Sequence, residues 1–136
     1  MPAPTASSWY NGAVEAARTA VVCDDAPGFR LLMAALLAEA GVTVTGDGDC
    51  WPDAERLAPG ADVIVVDLWM PEFEAEALAR VRALAPEATL AIVTALETTD
   101  AERMVAGLGV DLVLSKPWPP ADVAARIAGY AACASS

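Results

Sequence analysis

The chain has 136 residues, enough for one domain with a single core and too few for a catalytic domain plus a regulatory one. A net charge of -11, from 19 acids against eight bases, excludes direct binding to nucleic-acid phosphates and suits a cation or a basic partner. Histidine is absent, which removes histidine general bases, Ser-His and Cys-His pairs, most transition-metal sites and any role as a phosphohistidine donor.

Residues 1–17 are expected to form a tail or short arm. The first eight are rich in Pro, Ala and Ser and lack the pattern of a secretion signal, and a short helix over 8–17 would carry Trp9, Tyr10 and Val14. A first strand over 19–23 ends at Asp24-Asp25, and Ala26-Pro27 opens a helix with Phe29, Leu32, Met33, Leu36 and Leu37 on one face, stopped by Gly41. A short second strand over 42–45 precedes a Gly/Asp turn and a small helix over 52–57.

The third strand is the most distinctive stretch. Val63 to Val66 are four consecutive β-branched residues, the pattern of a strand buried on both faces, and they run into Asp67. A helix with Phe73, Ala77, Val81 and Leu84 at helical spacing follows and ends at Pro86. A fourth strand over 90–94, a helix over 100–108 closed by Gly109, a fifth strand over 112–116 and a last helix from Pro119-Pro120 with Val123, Ile127 and Tyr130 complete the chain. Five repeats of strand then helix imply an α/β parallel sheet with right-handed crossovers and helices on both faces.

In such a sheet Asp24, Asp25, Asp67, Thr94 and Lys116 project from the edge where the strands end, the usual place for chemistry in open α/β folds. Clustered carboxylates repel one another, and a hard cation offsets that cost; Mg²⁺ fits oxygen ligands without histidine. A carboxylate held there can attack phosphorus, with a metal and a lysine stabilising the equatorial oxygens and Thr94 bonding the new group. Singly, each feature has a plainer reading: Asp24-Asp25 as a helix cap, Asp67 as a turn residue, Thr94 as an ordinary strand residue, Lys116-Pro117 as a turn. Lys116 is nevertheless the sole lysine, the other seven bases being arginines.

Asp24-Asp25, Asp67-Leu68-Trp69-Met70-Pro71, Thr94-Ala95 and Lys116-Pro117 in this order resemble the receiver domain of two-component response regulators, the chemotaxis-protein-Y-like family. The resemblance covers residues 18–132, leaving 133–136 as a C-terminal tail. It implies a flavodoxin-like, doubly wound five-stranded sheet in the order 2-1-3-4-5. It further implies Asp67 as phosphoacceptor, Asp24, Asp25, Asp67 and the Trp69 backbone carbonyl on the Mg²⁺ side, Lys116 on the phosphoryl oxygens, Thr94 as switch hydroxyl, and a cis Lys116-Pro117 bond. A histidine kinase or histidine phosphotransfer protein is the implied donor. Output would pass through the face of the fourth helix, fifth strand and fifth helix, where Arg103, Asp111, Asp122 and Arg126 are candidate contacts of a homodimer.

Some positions depart from that family's pattern. Val113 stands where an aromatic switch residue is usual, Glu72 and Ala75 stand where glycines are frequent, and the large Trp69 adjoins Asp67, either gating access or sitting as a surface aromatic. Trp118 is read as packing. The alternative function is a phosphorylation-independent interaction or dimerisation module; an enzyme with Asp67 as nucleophile is disfavoured because haloacid-dehalogenase-like enzymes need a second acid where Trp69 stands. No small-molecule turnover, no membrane contact and no direct nucleic-acid contact are expected. Three cysteines without C-x-x-C spacing (Cys23, Cys50, Cys133) suit the reducing cytoplasm.

Overall fold

Strand formation follows the buried β-branched runs, and helices fill the intervals between them. A computed structural model of the protein describes residues 18–134, so the expected arm over 8–17 with Trp9, Tyr10 and Val14 lies outside the described residues. The elements are β1 (Arg18–Cys23), α1 (Pro27–Glu39), β2 (Val42–Gly48), α2 (Trp51–Leu57), β3 (Val63–Val66), α3 (Ala75–Leu84), β4 (Thr89–Thr94), α4 (Thr98–Met104), β5 (Leu112–Ser115) and α5 (Pro120–Ala134). All sheet pairings are parallel and the order is β2-β1-β3-β4-β5, the flavodoxin-like arrangement that the resemblance implies.

Side chains alternate across the sheet and divide the core in two. Val21, Cys23, Ile64, Val66, Leu90 and Ile92 face α2, α3 and α4, packing on Trp51, Ala54, Leu78, Val81 and Ala101. Ala20, Val22, Val63, Val65, Ala91, Val93 and Leu114 face the other way, onto Met33 and Leu37 of α1 and Val123, Ala124 and Ile127 of α5. Truncating a fully buried residue such as Ile64 to alanine costs about 2–5 kcal/mol by lost burial and the cavity left behind.

Several local expectations need correction. β2 continues through the expected Gly/Asp turn to Gly48, because a bulge at Thr45 restores pairing: Ala20 lies opposite Val44 and Val21 opposite Gly46. Gly48 packs so closely that an added Cβ would stand 2.4 Å from Asp53 Cβ. α4 stops at Met104 rather than near residue 108, since Gly107 and Gly109 take positive φ and turn the chain. Phe73 precedes α3 and instead packs its ring 5.4 Å from that of Trp51. Leu32 and Leu84, expected on buried faces, are exposed, while Leu78, Ala124 and Ala131 take core places. α5 extends through Cys133 and Ala134, residues assigned above to a tail.

Candidate acidic site at the strand ends

The sheet ladders continue one residue past the strands and hold the site's backbone. Asp67 N donates to Cys23 O at 3.1 Å, Asp24 N to Gly48 O at 2.9 Å, and Lys116 N to Thr94 O at 2.8 Å. Asp24, Asp67, Thr94 and Lys116 thereby share the C-terminal edge of the sheet, around the point where the chain leaves β1 for one side and β3 begins the other.

Lys116 reaches across this edge. Its Nζ lies 2.8 Å from Asp24 Oδ2 and 3.0 Å from Asp67 Oδ2. The ammonium donates a hydrogen bond to Asp67, whereas its approach to Asp24 is an ion-pair contact that leaves the buried Oδ2 without an aligned donor. The second oxygens are fixed by the backbone: Ala26 N donates to Asp24 Oδ1 at 2.8 Å and Trp69 N to Asp67 Oδ1 at 3.0 Å. Both carboxylates are buried, and Asp25 beside them is exposed.

Burial pushes the Asp24 carboxyl above its ordinary range, the neighbouring Asp67 adds to that, and the ammonium opposes it. Burial works against the charge on Lys116, but its contacts with Asp24 and Asp67 outweigh this and raise its pKa. Carboxylate oxygens of Asp24, Asp25 and Asp67 lie within 4.8 Å of one another. Three carboxylates, two of them buried and sharing a single ammonium, fit Mg²⁺ in donor type and charge.

Thr94 is fully buried, and its Oγ1 accepts the Leu96 N–H at 3.4 Å. Val113 is partly buried against the α2–α4 side of the core. Among the described residues no peptide bond is cis, so Lys116-Pro117 departs from the expected isomer. The trans form is preferred at X-Pro bonds by about 0.5–1 kcal/mol, and Lys116 reaches both acids from it. Trp69 is 58% exposed and lies on the surface beside Asp67. Trp118, expected to pack, is instead 37% exposed, lining a groove of about 610 Å³ with Pro119, Asp122, Ala125 and Arg126.

Two residues close to the site escaped the sequence reading. Phe29 places its ring 4.7 Å from Lys116 Nζ, a cation–π contact. Arg30 donates from Nη1 to Asp24 O at 2.6 Å and from Nε to Asp47 Oδ2 at 3.0 Å. Phe29 was legible only as a helix-face residue; nothing in the spacing of Arg30 marks it.

On the expected output face three of the four candidate charges, Arg103, Asp111 and Arg126, are engaged within the chain. Arg103 pairs with Asp100 at 2.7 Å, and Arg126 lies over the Trp118 ring at 5.9 Å. Asp111 accepts from Arg82 Nη2 at 2.9 Å, Leu90 N at 2.8 Å and Tyr130 OH at 3.3 Å. Asp111 is therefore an internal clamp rather than a free contact.

A family model described as "Response regulator receiver domain" matches residues 20–128. The chain belongs to this family. Receiver domains are signalling domains of two-component systems, and they generally bind Mg²⁺ at an acidic pocket. Among solved structures, a receiver domain protein from Methanospirillum hungatei JF-1 is 17% identical with a TM-score of 0.77, covering 88% of this chain and 98% of its own. The receiver domain of the putative response regulator NarL from Mycobacterium tuberculosis is 25% identical, TM-score 0.71, covering 88% and 97%. A Burkholderia pseudomallei response regulator, solved with a phosphorylated aspartic acid, calcium ion and citrate, is 22% identical, TM-score 0.70, covering 88% and 73%. Among curated proteins nothing matches.

Proposed function

We propose that this receiver domain is a phosphorylation-controlled switch in which Asp67 accepts a phosphoryl group from a histidine kinase or histidine phosphotransfer protein. The observation that carries the reading is the contact of Lys116 Nζ with Asp67 Oδ2 at 3.0 Å, at a buried strand end beside a second buried acid. The phosphorylated aspartate of the Burkholderia protein, on the same fold, supports it.

The transfer is a nucleophilic displacement. A carboxylate oxygen of Asp67 attacks phosphorus, the phosphorus–nitrogen bond of the donor breaks, and the imidazole nitrogen keeps the electron pair while an acyl phosphate forms. Trp69 N–H fixes one Asp67 oxygen, which limits rotation of the nucleophile. Lys116, bonded to Asp67 Oδ2, would contact the equatorial oxygens of the incoming group. Asp24, Asp25 and Asp67, with the Trp69 carbonyl, would hold Mg²⁺, which when bound supplies charge neutralisation at the acids and the phosphoryl oxygens.

Phosphorylation brings about two negative charges to an edge that already holds three acids. Thr94, on the neighbouring strand and tied through its carbonyl to Lys116 N, would bond the new group and pass the change toward α4, β5 and α5. The response is a change in a protein-interaction face, possible partners including a second copy of the chain. No described helix is long and apolar enough to cross a membrane, and the three cysteines are free; we place the protein in the cytoplasm. It should not turn over small molecules.

The test is incubation with Mg²⁺ and phosphoramidate, whose phosphorus–nitrogen bond mimics phosphohistidine, followed by ³¹P spectroscopy. A hydroxylamine-labile acyl phosphate in the wild type and none in Asp67→Asn is expected. Equal labelling of both would move the acceptor elsewhere, and partner binding that ignores both donor and Asp67→Asn would favour the phosphorylation-independent module.

A further inference from the structure

We propose that Arg30 is a positioning residue for the acidic site: its guanidinium ties the Asp24 carbonyl to the Asp47 carboxylate and so sets the direction in which Asp24 faces a divalent cation. The inference rests on the reading of Asp24 as a metal-side acid.

Asp24 is held at three points. Its N–H donates to Gly48 O, its Oδ1 accepts from Ala26 N, and its carbonyl oxygen accepts the 2.6 Å bond from Arg30 Nη1. The bond from Ala26 N closes a turn around the Asp24–Asp25 peptide and restricts it, and the bond from Arg30 fixes the carbonyl of that same peptide directly. Because that peptide connects the buried acid to the exposed one, its orientation decides how the two carboxylates stand relative to each other.

The far anchor lies on the least regular part of the sheet. β2 is an edge strand, the bulge at Thr45 interrupts its pairing with β1, and Asp47 sits between Gly46 and Gly48. The 3.0 Å bond from Arg30 Nε to Asp47 Oδ2 crosses from the first turn of α1 to this stretch, so one side chain joins helix, edge strand and acid. The Arg30 side chain is 19% exposed and the Asp47 side chain 59%, so the bond to the Asp24 carbonyl is shielded while the Asp47 anchor lies open to water.

An arginine in the first turn of a helix faces the positive end of the helix dipole, and the first turn of α1 has no acidic residue to offset it. The position is unfavourable for helix stability alone and is accounted for by the two bonds it makes. Only a rigid fork presents two nitrogens to two acceptors in fixed geometry, so lysine is not an equivalent.

Mg²⁺ affinity of the full chain, by isothermal titration calorimetry, tests this together with thermal unfolding of each variant. Arg30→Gln and Arg30→Lys should both weaken Mg²⁺ binding on the order of tenfold, the effect typical of residues that orient metal ligands, while retaining a cooperative transition. Asp47→Asn, which keeps an acceptor for Nε, should stay close to wild type. Arg30 variants that melt earlier yet bind Mg²⁺ within about twofold of wild type would reduce the arginine to a staple of the sheet edge and overturn the proposal, as would a wild type that binds no Mg²⁺. A wild type that binds Mg²⁺ through Arg30-dependent geometry but gains no phosphoryl group would sink only the phosphoacceptor reading.

Discussion

Lys116 Nζ lies 3.0 Å from Asp67 Oδ2 while also contacting a second buried acid, so one ammonium serves two carboxylates. Removing it leaves both acids buried without a counter-charge. Lys116→Ala is expected to lower the unfolding free energy by about 3 kcal/mol, the lower end for a broken buried ion pair because the site opens partly to water. Mg²⁺ at ten times its dissociation constant should return about 1.4 kcal/mol of that. Urea unfolding with and without Mg²⁺ measures both quantities, and a loss that Mg²⁺ does not relieve would contradict the shared-charge account.

Asp24 makes the opposite prediction. Its carboxyl is pushed above the usual aspartate range, chiefly by burial, so the folded state binds a proton more tightly than the unfolded chain. Stability from this group therefore falls as pH rises from the unfolded aspartate range, about 3.9, through the higher folded value. Asp24→Asn leaves Lys116 paired with Asp67 alone and should stabilise the metal-free protein at neutral pH by on the order of 1 kcal/mol while weakening Mg²⁺ binding. A variant less stable than wild type at pH 7, yet equal to it at pH 4, would refute the assignment.

Glu72 has φ of 64°, in the left-handed region that favours glycine. Relief of that strain by Glu72→Gly exceeds the added entropy of the unfolded chain, so the variant should gain about 0.5–1 kcal/mol. Thermal denaturation reads it directly; a lower midpoint would mean that the glutamate side chain contributes more than its backbone costs.

Trp69 combines 58% exposure with a backbone N–H bonded to Asp67. On the proposal that the indole screens one approach to Asp67, Trp69→Ala should shorten the phosphoryl lifetime severalfold without changing the site of phosphorylation. Intact-mass decay after donor removal gives the lifetime. An unchanged rate would leave Trp69 as a surface aromatic.

The layout of strands and acids was readable from sequence because it depends on local chemistry. Four β-branched residues before Asp67, proline opening α1 and a single lysine before proline each point to one position in a βα repeat. What was not readable depends on distant partners. The bulge at Thr45 looks like a turn until β1 offers a pairing partner, and Leu32 looks like core until the neighbours of α1 are known. Asp111 reads as a surface acid, yet Arg82 and Tyr130, 29 and 19 residues away, enclose it. Arg30 is the same case within the site: its role lies in a carbonyl six residues earlier and a carboxylate seventeen later.

The central claim is that Asp67 is the acceptor, and intact mass spectrometry tests it most directly. Wild type and Asp67→Asn would be incubated with Mg²⁺ and acetyl phosphate and weighed. One added phosphoryl mass on the wild type and none on the variant is the predicted result. An unmodified wild type, or equal modification of the two proteins, would contradict the account.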